Sequence, residues 1–407
     1  MSVILLIAAE LLVATISEPL WLVILTPLPA TLMAADSLSP VPFGVRHCWR
    51  IRARVYRAVA AGLITLALAI GISAVSAAPP NTDQPLAMTC AARDLIQGHD
   101  PYKTYEPQCV QRLHYHGTSV TPIMAGPFAA SHHYPSNSAI AASLRGDGAT
   151  GAHAGFPAFG YPPEAALLLV PVAFAGWPTI DLWVALLCLI LLYAIWSGPV
   201  PARMSMLAWQ LGALAVLWWA FGWNPEDVSY LILAVAFARI DRVYTSAVAM
   251  AAAILTNPIA WLAAPIFVAV THHEPRWTTR LGWLGVSLLA GLLPWYLWDH
   301  SLPAELWGFV TMPTFPVGAA LGRFAAIPGA SRIPYTAAFL TAIAACTLLA
   351  WRSSAWRWSA ACLVWAAFLV SWRAPLYYYF PALWLSPAVV IGAFRLHTAK
   401  WRRAQEG

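Results

Sequence analysis

Apolar stretches long enough to cross a lipid bilayer recur along this chain, and short arginine clusters separate many of them. A hydrocarbon layer is roughly 30 Å thick and takes about 20 helical residues to cross. In lipid every backbone amide needs an internal partner, so the spans must be helices. Charge content agrees. Only 10% of the residues are charged and 60% are hydrophobic, whereas a soluble chain carries about a quarter charged residues. Too little polar surface is left to face water over most of the molecule.

The basic residues gather at 46–57, 239–242, 276–280, 352–357 and 395–403, and cytoplasmic loops are enriched in Lys and Arg. Placing all five clusters inside sets the expected course of the chain. Residues 1–56 supply an N-terminal hydrophobic segment and a basic cytoplasmic loop; Glu10 and Glu18 make that segment a poor lipid-facing one. Residues 57–78 are the first core span, running outward, and 79–160 a large outer loop. Then come a membrane bundle over 161–298, a second outer loop over 299–333, and further bundle with a basic tail over 334–407. Spans are expected near 206–221, 225–238, 243–256, 258–271, 281–298, 334–350, 358–372 and 376–394. The block 161–197 is too long for one span and makes a net single crossing, as one span plus a helix partly in the interface. The expected fold class is all-α, a polytopic membrane helix bundle. The net charge of +6 does not point to nucleic acid, since no tract interleaves basic and aromatic residues as a strand-binding groove would.

Two features suggest a site. Thr256-Asn257-Pro258 breaks the hairpin 243–271, and broken helices at membrane depth line cavities. In the outer loop, 83–97 reads as a short helix, with Pro85 in its first turn, Gly98 as its stop and an apolar stripe through Met88, Ala91, Ala92 and Leu95. Asp83 then stands in the first turn at the membrane boundary, where the helix dipole favours the carboxylate. It is either a general base or simply a cap. Cys90 and Cys109 are the cysteines on the outer side, and a disulfide between them closes a loop of about 20 residues. The alternative is two free thiols. His114, His116, His132, His133 and His153 lie in the same loop without acidic or cysteine partners at a metal-binding spacing, so 117–155 reads as a solvated excursion and no cofactor is expected.

The pattern Asp83, Ala91-Ala92-Arg93, Gly98-His99-Asp100-Pro101-Tyr102 and then Phe159-Gly160-Tyr161-Pro162-Pro163 resembles the GT-C superfamily of membrane glycosyltransferases. Within it, the chain is similar to the polyprenol-phosphate-mannose-dependent mannosyltransferases of glycosyltransferase family 87. The likeness is specific over about 83–171 and general beyond. It implies a bundle of roughly eleven or twelve helices with catalysis at the outer interface. It also implies transfer of a sugar, mannose foremost, from a polyprenyl-phosphate donor to a hydroxyl of a lipid-linked or glycan acceptor, with inversion. Asp83 matches the family's catalytic aspartate. The chain departs from the family where Asn257 replaces a lysine before Pro258, and where Arg373-Ala374-Pro375-Leu376 and Tyr377-Tyr378-Tyr379 stand in place of histidines.

Arg373 and Arg323, at outer boundaries, are candidates for holding the donor phosphate, because a guanidinium can bind two oxygens; snorkelling is the other reading of Arg373. Glu164, Tyr161, Asp100 and Asn257 complete the expected substrate-binding set, although dipole compensation also explains Glu164 and a turn also explains Asp100. The expected partners are the donor, the acceptor and membrane lipids, and the expected location is the plasma (inner) membrane with the site on its extracytoplasmic face. A transporter or flippase for a lipid-linked sugar, and an outer-face glycan ligase or polymerase, stay open as alternatives.

Overall fold

The computed structural model describes residues 83–114, 120–131, 133–145, 155–176, 180–197, 224–316, 332–353, 356–373, 378 and 381–406. The N-terminal hydrophobic segment and the expected spans at 57–78 and 206–221 lie outside the described residues, as do Arg323, His116, His132 and His153. Among the described residues the protein is all-α, and its only strand-like features are two isolated bridges, Tyr105 with Ala158 and Ile123 with Thr314.

In chain order the helices are α1 (Gln84–Ile96), α2 (Glu106–Arg112), α3 (Asn137–Arg145), α4 (Pro163–Leu168), α5 (Val170–Ala175), α6 (Ile180–Trp196) and α7 (Pro225–Ala238). They continue with α8 (Val243–Thr256), α9 (Ala263–Thr271), α10 (Trp277–Trp298), α11 (Leu302–Thr311), α12 (Ile333–Arg352), α13 (Ala360–Leu363) and α14 (Pro381–Glu406). Two of them, α10 and α12, are long and apolar enough to cross a membrane; α8 and the Pro258–Thr271 segment are shorter apolar helices. Only 6% and 11% of the most apolar windows of α10 and α12 are buried. A core helix of a water-soluble protein hides such residues, whereas Val286, Leu289 and Leu297 of α10 and Leu340 of α12 are more than half exposed.

The helix ends follow local chemistry. Asn224 accepts the Glu226 amide at 3.1 Å and caps α7, whose first residue is Pro225. Asn257 ends α8 and accepts the Ile259 amide at 2.9 Å, starting the 3-10 turn Pro258–Leu262 that leads to α9. The block 161–197 resolves into the short helices α4 and α5, then α6. The segment expected to span over 358–372 is instead a four-residue α-turn followed by 3-10 helix from Val364 to Val370. That winding rises about 2 Å per residue rather than 1.5 Å.

The bundle packs α7 between α8 and α14, with α8 against α10. Gly392 marks the closest approach of α14 to α7, since a Cβ there would overlap the Phe237 carbonyl oxygen. Arginines of the basic clusters fasten one end. Arg239 Nε donates to Ala194 O at 2.8 Å, Arg395 to Ala238 O at 2.9 Å and Ile195 O at 2.8 Å, and Arg280 to Ile240 O at 2.6 Å. These carbonyls lie at or just past the C-termini of α6 and α7, where cations satisfy orphan acceptors and the helix dipole. His273 meets the Trp351 carbonyl at 2.8 Å, which brings the end of α12 to the same side.

The stretch 117–155 is not simply a solvated excursion. Val120, Phe128, Ile140 and Phe156 converge on Leu86, Cys90 and Cys109 in a second, smaller core that also takes in Phe315. Each contributing turn offers one buried side chain, so no periodic stripe announces the core. The second expected outer loop also holds a helix, α11, and its end joins the first: Met124 N donates to Pro313 O at 2.6 Å.

Candidate active site

Asp83 immediately precedes α1 and does not cap it; its side chain makes no capping bond. Its carboxylate accepts the backbone amide of Thr121 at 3.0 Å, 38 residues along the chain. Pro85 opens the helix without needing a capped amide, which leaves the Asp83 side chain available to turn toward that loop.

Beside it lies Glu106, the first residue of α2 and only 5% exposed. Glu106 N donates to Pro157 O at 3.2 Å and Phe159 N to Thr104 O at 3.2 Å, so a short antiparallel pairing holds the start of α2. α1 and the segment carrying α2 pack together, held by three cross-links. These are the Cys90–Cys109 disulfide, with Cα atoms 5.6 Å apart, an ion pair between Arg112 and Asp94, and the Thr104 hydroxyl on Asp94 at 2.5 Å. Gly98, at φ +72, stops α1 so that the chain can return through Asp100-Pro101-Tyr102 to begin α2 beside it.

Asp83 and the Thr121 backbone lie close enough to Glu106 for both to act on its carboxyl. Burial and then the Asp83 charge push its carboxyl well above the usual range, against the weaker opposing pull of the Thr121 amide and Arg373. Its Oε2 is buried without a hydrogen-bond partner. Arg373 follows the 3-10 segment, in a turn set by the Ser371 hydroxyl, which donates to Phe368 O at 2.7 Å and to Arg373 O at 2.9 Å. Its charge reaches both Glu106 and Tyr134. The Tyr134 ring stands edge-on to Phe315 at 5.7 Å, and burial pushes its hydroxyl up to about 12. Glu226, buried in the first turn of α7, is close enough to Asp83 for their charges to interact.

The structure therefore brings Asp83, Glu106, Arg373, Tyr134 and the Thr121 amide within reach of one another's charges and dipoles, with Glu226 within range of the Asp83 charge. Because α7 starts here and ends among the basic clusters, the group lies at the opposite end of the bundle from Arg239 and Arg395. Of the described residues expected to bind substrate, Arg373 acts on the same group as Asp83, and Asp100, Tyr161, Glu164 and Asn257 have other surroundings. Asp100 caps the turn Pro101–Lys103 through the Tyr102 amide at 3.0 Å and pairs with Lys103 at 2.8 Å. Tyr161 accepts the Tyr102 hydroxyl on its carbonyl at 2.9 Å, and its ring packs on Phe159 and Phe309. Glu164 lies against Gly291 of α10, and no interaction joins it to Asp83. Asn257 is fully buried as the cap described above.

Sequence reasoning missed Glu106, Tyr134 and Thr121. One signal pointed to Glu106: it lies three residues before Cys109, so a Cys90–Cys109 bridge carries it back toward the start of the first helix. Among the described residues no group of three or more His, Cys, Asp or Glu is arranged to hold a metal ion. No protein-family model, curated protein or solved structure matches this chain.

Proposed function

We propose that this protein is a polytopic membrane glycosyltransferase of GT-C type that moves a sugar from a polyprenyl-phosphate donor to an acceptor hydroxyl at the extracytoplasmic face. The observation that carries the reading is the Asp83 carboxylate. It is turned away from its own helix, held by the Thr121 amide, and stands in one cluster with the cation Arg373. Two features of the bundle support the setting. Its longest apolar helices present exposed apolar faces, and the arginines of three basic clusters bind helix ends away from the carboxylates. With positive loops on the cytoplasmic side, the carboxylates face outward.

In the reaction Asp83 takes the proton as the acceptor O–H bond breaks, and the acceptor oxygen forms its bond to the anomeric carbon. The bond from that carbon to the phosphate oxygen breaks, and polyprenyl phosphate leaves as an anion. Attack opposite the leaving group inverts the anomeric centre. Arg373 stabilises the charge gathering on the phosphate, and the lipid tail stays in the bilayer.

The test is incubation of membranes carrying the protein with radiolabelled polyprenyl-phosphate sugars, mannose first, followed by identification of the labelled product. Asp83→Asn keeps the shape and removes the base, so transfer should fall by about 10²- to 10⁴-fold. Consumption of none of the donors refutes the proposal. Lipid-linked sugar movement that survives Asp83→Asn without any transfer would identify a transporter instead.

A further inference from the structure

Glu106 has no part in the scheme above, yet several contacts fix the segment that carries it. The disulfide, the Asp94 contacts and the 104–106 pairing with 157–159 all fix the start of α2. The side chain is buried within reach of Asp83, whose carboxylate holds the Thr121 amide, and its Oε2 has no partner. We propose that Glu106 is the positioning residue of the base: its protonated carboxyl donates a hydrogen bond to Asp83, and its Oε2 accepts a neighbouring hydroxyl of the acceptor substrate. The proposal rests on the reading of Asp83 as general base.

A buried carboxyl beside a second carboxylate is costly to ionise, which favours a proton on Glu106. The groups facing Glu106 are Asp83 from in front of α1, Arg373 from the turn after Val364–Val370, Tyr134 from in front of α3, and the Thr121 amide; Glu226 acts on the Asp83 side from the first turn of α7. Arg373 and the amide favour ionisation of Glu106, while burial and Asp83 oppose it and prevail. A proton on Glu106 has a geometric consequence. It fixes the orientation of the Asp83 carboxyl, so that one lone pair of Asp83 points to the incoming hydroxyl while the Thr121 amide holds the other oxygen. The unpartnered Oε2 is then an acceptor ready for a polyhydroxylated substrate, whose hydroxyls come as neighbours.

Two measurements on the full-length protein test this. In infrared difference spectra at neutral pH, Glu106→Gln should lose a protonated-carboxyl band that Asp83→Asn retains. In transfer assays, Glu106→Gln keeps a donor toward Asp83 and should stay within roughly 10-fold of wild type, while Glu106→Ala should lose on the order of 100-fold in kcat with the donor KM unchanged. The pH profiles should also part. Wild-type activity falls on the alkaline side as Glu106 ionises, loses its donor and sets a second negative charge beside Asp83; Glu106→Gln cannot ionise and should not show that limb. No lost band, or an alkaline limb unchanged in Glu106→Gln, overturns the proposal, and neither observation depends on Glu106→Ala folding. If wild-type protein consumes no polyprenyl-phosphate sugar, the function proposed above fails, while the infrared result still decides whether Glu106 carries the proton.

Discussion

Removing the Cys90–Cys109 disulfide should loosen α2 selectively. The bridge closes a loop of 19 residues, which corresponds to about 3 kcal/mol of chain entropy. The remaining cross-links compensate little. The buried Asp94 carboxylate keeps its contacts with the half-exposed Arg112 and with the Thr104 hydroxyl in either case, so they do not make up for the lost loop constraint. In the double variant Cys90→Ala, Cys109→Ala, the opening equilibrium of the segment should shift by roughly 100-fold. Hydrogen–deuterium exchange in detergent or nanodiscs reads this directly. Amides of Glu106–Arg112 should lose protection by that factor, while those of α7 and α8, packed in the other core, should be unchanged. Sugar transfer should weaken in parallel, because the disulfide aligns the helix that places Glu106 beside Asp83. Unchanged protection in α2 would refute the argument that covalent cross-linking aligns the pair. Equal loss throughout the protein would refute the division into two cores.

Gly392→Leu should destabilise the bundle by about 1 to 3 kcal/mol, because the new side chain meets the Phe237 backbone and α14 must withdraw from α7; a lowered midpoint of thermal unfolding in detergent checks this, and an unshifted midpoint contradicts the close approach. Arg373→Ala should lower kcat/KM for the donor by about 10- to 100-fold, the worth of a charge-assisted contact to phosphate. Arg373→Lys should recover only part, since an ammonium lacks the guanidinium fork. A change confined to the acceptor KM would remove Arg373 from the donor site.

The parts of this protein that could be read from sequence are those in which a residue constrains its own backbone or solvent. Pro85 and Gly98 bound α1, Asn224-Pro225 starts α7, and Asn257-Pro258 breaks the segment between α8 and α9, all within a residue or two of where pattern alone places them. Arg239, Arg280 and Arg395 mark one end because each donates to a carbonyl at or just past a helix C-terminus. What could not be read depends on partners far along the chain. Thr121 offers only a backbone amide to Asp83, and a backbone amide leaves no mark in residue identity. The small core around Phe128, Ile140 and Phe156 draws its members from separate turns, so the Gly, Ser and Ala between them look like a solvated loop. Residues 360–370 carry the hydropathy of a membrane helix but wind mostly as 3-10, and that choice is made by packing against α12 and α14, not by composition. The same division applies to the carboxylates. An acid at a helix start has an ordinary explanation wherever it is found, and both Asp83 and Glu106 occupy such positions. What sets them apart is that neither side chain serves its own helix. Asp83 turns to a neighbouring loop, and Glu106 turns to Asp83. A buried acid set beside a partly buried one, within range of an arginine, costs the fold stability that a capping role does not account for, and the proposed use of Asp83 as a base would account for it.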